Sequence, residues 1–98
     1  MEKRIYKYQI GLPSCGETTV HINGELIKIL DIQEQNDIIV IWIEIDISKG
    51  SQYFKVGSVW TGDEVPDERY EYFKTIQSKN GLVYHYYIYN PLYNFFDI

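Results

Sequence analysis

Ile38-Ile39-Val40-Ile41-Trp42-Ile43-Glu44-Ile45-Asp46-Ile47 is the stretch of this chain most plainly committed to one conformation. Successive side chains of an extended strand point to opposite faces, so Ile39, Ile41, Ile43, Ile45 and Ile47 share one side. Ile38, Val40, Trp42, Glu44 and Asp46 share the other. The first face is purely β-branched, the composition that packs best on a pleated, buried surface. The second begins apolar and ends acidic, which predicts a strand that runs from a covered position to one open to water. Residues 38–47 therefore read as the strand around which a sheet is assembled.

The flanking sequence continues the pattern. Residues 4–10 alternate, with Tyr6, Tyr8 and Ile10 on one face, and Gly11-Leu12-Pro13-Ser14-Cys15-Gly16 breaks the strand. Residues 17–22 are β-rich and run into Asn23-Gly24, the favoured dipeptide of a two-residue type I′ hairpin, which would set Ile22 opposite Glu25 and Val20 opposite Ile27. Residues 33–37 are a polar break, and Ser48-Lys49-Gly50-Ser51 supplies the turn after the isoleucine strand. Residues 52–60 alternate again, with Phe54, Val56 and Trp60 on one face and Gly57 inside, the mark of a bulge or of close approach by a backbone or ligand.

Residues 61–68 are irregular, a solvated connection or a cover for one end of the sheet. Residues 70–78 show some helical spacing, but Tyr72, Phe73, Thr75 and Ile76 favour a strand, and Asn80-Gly81 supplies a second hairpin signal. That turn would place Ile76 opposite His85, Lys74 opposite Tyr87 and Tyr72 opposite Tyr89. Pro91 ends the last strand, and Leu92, Tyr93, Phe95, Phe96 and Ile98 form a tail too apolar to trail freely in water. The expectation is an all-β fold, a small antiparallel β-sandwich or partly open barrel of six to seven strands. Residues 1–90 are expected to form one β domain and residues 91–98 an aromatic tail.

Composition narrows the function. The 98 residues are 45% hydrophobic and include two Trp, ten Tyr and four Phe, far from the composition of a disordered chain. The formal net charge is −5 and no basic cluster exceeds Lys3-Arg4, which argues against a nucleic-acid polymer as partner. The single Cys15 excludes an internal disulfide and a Cys-rich zinc site. No stretch has the apolar length of a membrane span, and the N-terminus lacks a signal-peptide core, so the expected location is cytoplasmic.

The opening Ile5-Tyr6-Lys7-Tyr8, then 27–30, Trp42 followed by Asp46, then Phe54, Gly57, a Tyr72-x-x-Thr75-x-Gln77 strand and Leu82-Val83-x-His85-x-Tyr87 form a diffuse set of hydrophobic and aromatic positions. In these the chain resembles, from Arg4 to about Tyr89, a family of roughly hundred-residue proteins of tailed bacteriophages and prophages known as a domain of unknown function. Trp60-Thr61-Gly62 stands where that family usually has Gly-Thr-Gly, and the aromatic tail looks like an addition. The resemblance implies phage origin and expression in the cytoplasm of an infected bacterial host. It supplies no catalytic residues.

Each candidate for catalysis lacks a part. Cys15 sits in a turn where a thiol would be exposed, but a nucleophile also needs a base, for which His21 or His85 could serve, and an oxyanion site, and a lone loop cysteine is more often incidental. Glu44 and Asp46, about 7 Å apart on one strand face, have a spacing compatible with acid–base work or a hard cation, but two alternating acids at the end of a strand are more often a solvated rim. With His21 as the only other imidazole, His85 points to packing within the sheet rather than to a metal, and no cofactor is implied. Gly57-x-x-x-x-Gly62 is followed by Asp63, where a phosphate-binding loop needs Lys.

The aromatic surplus is the informative remainder. Trp42, Trp60, Tyr6, Tyr8, Tyr84, Tyr86, Tyr87 and Tyr89 exceed what one small core holds, so a second subunit covers part of them or a flat ligand stacks there. Joined by analogy to the phage resemblance, which implies a role in host takeover, the surplus leads to the expectation of a non-enzymatic binding protein, a homo-oligomer that counters bacterial defence by sequestering a small nucleotide signal. Trp60, Thr61, Arg69, Lys55, His85 and Trp42 are its expected ligand-binding residues. Two alternatives stand beside it. One is a protein-interaction module docking through the acidic residues 63–71 and the tail on a host or phage protein, and the other is a small hydrolase using Glu44, Asp46 or His85.

Overall fold

A computed structural model describes residues 1–89, and the expected aromatic tail lies outside the described residues. Seven strands follow one another: β1 (Lys3–Gly11), β2 (Gly16–Ile22), β3 (Glu25–Gln35), β4 (Ile38–Asp46), β5 (Gln52–Trp60), β6 (Glu71–Gln77) and β7 (Val83–Tyr89). They form two antiparallel sheets, one of order β1-β4-β3 and one of order β2-β5-β7-β6. The fold is all-β, with the strands grouped as a small β-sandwich groups them.

The chain divides into two compact units, Met1–Pro13 with Val20–Tyr53, and Ser14–Thr19 with the residues from Phe54 onward. In the first, β4 is the central strand, paired with β1 on one side and β3 on the other. Ile39, Ile41, Ile43 and Ile45 are at most 1% exposed, and burying each side chain is worth about 2 kcal/mol. The opposite face departs from expectation. It is half-buried at Trp42 and Glu44 and closes again at Asp46, which is 1% exposed instead of standing on a solvated rim. The cause is local hydrogen bonding: Asp46 Oδ1 accepts from the Glu2 backbone N–H at 3.1 Å, the Ser48 N–H at 3.0 Å and the Ser48 hydroxyl at 2.6 Å. These bonds hold its carboxyl at about 2, below the ordinary 3.8. The Asp46–Ser48 bonds form an Asx turn that ends β4.

The hairpin expected at Asn23-Gly24 does not form, because β2 and β3 belong to different sheets. A type I′ turn needs positive φ at both central residues, and of this pair only Gly24 has it, at +154°. The turn with that signature is Asn36-Asp37, with φ of +53° and +65°, which joins β3 to β4 through the pair Gln35–Ile38. A left-handed φ favours glycine at the second position, where this turn has Asp37.

The β6–β7 hairpin exists, one residue out of the expected register. Its loop has three residues, Lys79-Asn80-Gly81, closed by the Ser78 N–H donating to the Leu82 carbonyl at 2.9 Å, with Gly81 at φ +88°. This is the geometry of a three-residue turn ending in a left-handed residue. Ile76 therefore faces Tyr84, Thr75 faces His85 and Lys74 faces Tyr86, and a bulge between Tyr72 and Lys74 brings Tyr72 opposite Tyr87. A shift of one residue exchanges the two faces of a strand. It takes His85 off the Ile76 face and places Tyr84 and Tyr86, each 2% exposed, in the core of the second unit with Phe54, Val56 and Ile76.

Candidate functional site

The strand pairings of the second unit define a face of cross-strand rows. Val59, His85 and Thr75 form the first row, Gly57, Tyr87 and Tyr72 the second, and Lys55 with Tyr89 the third. His85, Tyr87 and Tyr89 alternate along β7, so they project to the same side over about 13 Å. Phe54, Val56, Tyr84 and Tyr86, of opposite parity, are buried. The core and this face are thus made by alternate residues of the same strands.

At one end, polar groups form a chain. The Thr61 hydroxyl lies 2.7 Å from His85 Nε2, the Thr75 hydroxyl 2.9 Å from His85 Nδ1, and the Tyr72 hydroxyl 2.7 Å from the Thr75 hydroxyl. Hydroxyls donate or accept, so either imidazole tautomer is satisfied between the two threonines. Tyr72, 57% exposed, meets Tyr87 edge-on with centroids 5.7 Å apart.

The middle is occupied by Tyr70. Gly57 has no side chain to cover its row, and the Tyr70 ring lies there, 3.1 Å from where a β-carbon on Gly57 would stand. The close approach expected at Gly57 is therefore made by an aromatic ring, with the β5–β7 register continuous through it. The Tyr70 hydroxyl donates to Glu17 of β2, and Lys55 lies 3.4 Å from the same carboxylate. The Tyr70 hydrogen bond, with a smaller contribution from Lys55, holds the Glu17 carboxyl below its ordinary range. Burial, and then the contact with Glu17, push the Tyr70 hydroxyl above its own.

The third row is aromatic and cationic. Tyr70 and Tyr89 pack with centroids 5.1 Å apart, and Lys55 Nζ and the Arg69 guanidinium lie 5.8 and 5.4 Å from the Tyr89 centroid. Arg69 donates through Nε and a terminal nitrogen to the two Asp67 oxygens at 3.0 and 2.9 Å. This fork holds the Asp67 carboxyl at about 2 and raises the guanidinium further above its ordinary value.

Of the residues expected to bind ligand, Thr61, His85, Lys55 and Arg69 belong to this face or its rim. Trp60 ends β5 opposite Tyr84, on the alternate parity, and is 46% exposed. Trp42 lies on β4, paired with Lys7 and Asp31 in the three-stranded sheet, and has no part in the face. Sequence reasoning missed Tyr70 and Glu17 as site residues. Gly57 was the available signal for Tyr70, but a contact between residues 17 and 70 has no local signature. Cys15 is exposed. Among the described residues no group of three or more His, Cys, Asp or Glu is placed to hold a metal ion, and no helix is long and apolar enough to cross a membrane.

A family model described as a domain of unknown function, DUF7352, matches residues 1–92. No curated protein and no solved structure matches the chain.

Proposed function

We propose that this chain, which belongs to the DUF7352 family and takes no activity from that description, is a non-enzymatic binding protein that holds a small nucleotide on the tyrosine face of its four-stranded sheet. The observation that carries this reading is the packed pair Tyr70–Tyr89 with Lys55 and Arg69 beside the Tyr89 ring. Aromatic rings stack on any base, and a phosphate, with more charge and more acceptor oxygens than one carboxylate, competes for Arg69 and Lys55 against Asp67 and Glu17. The hydroxyl–imidazole chain from Tyr72 to Thr61 offers donors and acceptors to the sugar or a second phosphate. The phage-family resemblance adds the context: an oligomer made in an infected bacterium that removes a nucleotide defence signal without breaking it down.

A thermal-shift screen against cyclic nucleotides and NAD-derived signals tests this. The expected result is a rise of several degrees with at least one of them, and recovery of that compound intact after heat denaturation. No response to any nucleotide overturns the reading, and a degraded ligand replaces it with the hydrolase. Light scattering at tens of micromolar tests the oligomer, which a monomer mass would reject.

A second reading has its own support. The connection between β5 and β6 carries Asp63, Glu64, Asp67 and Glu68, all exposed, and suits a basic surface of another protein. Salt-sensitive capture of a basic protein that Asp63→Lys/Glu64→Lys abolishes, with nucleotide response unchanged, would favour it.

A further inference from the structure

Resting on the proposed nucleotide reading, we infer that the seat over Gly57 is the ring site of the ligand, that Tyr70 fills it when no ligand is bound, and that its shape and edge chemistry select guanine. Three features define the seat. Its floor is the bare backbone of Gly57, which lets a planar ring lie directly on the sheet. Its wall is Tyr89, whose ring packs 5.1 Å from that of the present occupant. Its edge is Glu17, which accepts a hydrogen bond from the hydroxyl of that occupant.

The contacts of Tyr70 thus describe the chemistry a replacement must supply: a flat ring with a hydrogen-bond donor at its rim. The Glu17 carboxylate is held in its charged form, so it accepts and does not donate. Guanine presents two adjacent donors, N1–H and the exocyclic amine, which match both oxygens of one carboxylate. Adenine presents one donor next to an unprotonated ring nitrogen, which a carboxylate repels. A site built to pair a substrate's N–H groups discriminates strongly against an analogue that leaves them unmatched. Lys55, which lies near both Glu17 and Tyr89, and Arg69, against the Tyr89 ring, stand where a phosphate attached to the ring would be neutralised.

Tyr70 ends the 61–70 connection between β5 and β6 and is tied to it by its backbone N–H donating to the Asp67 carbonyl at 2.8 Å. The Tyr70 ring and the Arg69 guanidinium both lie against the Tyr89 ring, so a ligand that displaces Tyr70 from the seat enters beside the cationic rim.

The experiment compares GMP and AMP binding by calorimetry to the wild-type chain, Tyr70→Ala and Tyr70→Ala/Glu17→Gln, with p-cresol as a stand-in for the tyrosine side chain. The expected result is GMP binding at least tenfold tighter to Tyr70→Ala than to wild type, at least a tenfold preference for GMP over AMP, loss of that preference with Glu17→Gln, and competition between p-cresol and GMP. Equal GMP affinity in wild type and Tyr70→Ala overturns the seat while leaving a nucleotide-binding face intact. GMP binding to neither, with p-cresol still bound by Tyr70→Ala, also overturns it, since the seat then accepts only its own side chain. If Tyr70→Ala does not fold, Tyr70→Phe keeps the ring, removes the contact with Glu17, and is expected to tighten GMP about threefold; an unchanged affinity overturns the proposal.

Discussion

Gly24→Ala is expected to destabilise the protein by about 3 kcal/mol or more, from two independent causes. The Gly24 φ of +154° is one that residues with side chains rarely adopt, and a β-carbon there would stand 2.6 Å from the carbonyl oxygen of Asp46. The obstacle is backbone in the paired strand β4, so it does not rotate away as a side chain would. With a urea dependence of about 1–1.5 kcal/mol per molar for a chain of this size, the midpoint falls by about 2–3 M. Gly50 is the control. It has no positive φ and no atom within 4 Å of its missing β-carbon, and Gly50→Ala is expected to change stability by less than about 0.5 kcal/mol. Equal effects of the two substitutions would show that the Gly24 corner is not the constraint.

Asp46→Ala acts on the same corner and is expected to lower the melting temperature by about 10 °C, because the backbone N–H groups of Glu2 and Ser48 lose their buried acceptor together. Asp46→Asn keeps an oxygen in place and is expected to cost less, and it isolates the charge. The folded carboxyl titrates at about 2 against an ordinary 3.8, so the unfolded chain takes up this proton first as pH falls. The stabilisation is therefore complete above about pH 4 and is lost as pH drops toward 2. Melting temperatures of wild type and Asp46→Asn should differ at pH 5 and converge near pH 2. A difference that stays constant across this range would remove Asp46 from the acid sensitivity of the fold.

Both predictions lie at the end of the isoleucine strand, where the sequence was most and least informative at once. The alternation at 38–47 identified the central strand and its buried face, since period-two hydrophobicity is a local property that burial alone satisfies. It misjudged Asp46, because a buried carboxylate depends on donors from Glu2 and Ser48 that gather only when β1 and the turn after β4 are in place. The asparagine–glycine dipeptides tell the same story. Each marks the end of a strand, but at Asn23-Gly24 the next strand joins the other sheet, and at Asn80-Gly81 one more residue enters the loop.

That extra residue matters most for the candidate site. Thr61, Arg69, Lys55 and His85 were legible as donors in a tyrosine-rich chain, yet the expected register turned His85 toward Ile76. Pairing with Thr75 puts it between two hydroxyls on the face that also carries Tyr87 and Tyr89. The contact between Tyr70 and Glu17, 53 residues apart, was not legible at all.

By itself, then, the sequence determined the strand content, the central strand, the isoleucine core and an excess of aromatic rings beyond what that core takes up, since each follows from side-chain periodicity and composition. Tertiary structure alone decided which sheet each strand joined, which parity of β7 faced outward, and that Gly57 would be covered by Tyr70 reaching Glu17. Those outcomes depend on loop lengths and long-range pairings, where one residue of register exchanges core for surface.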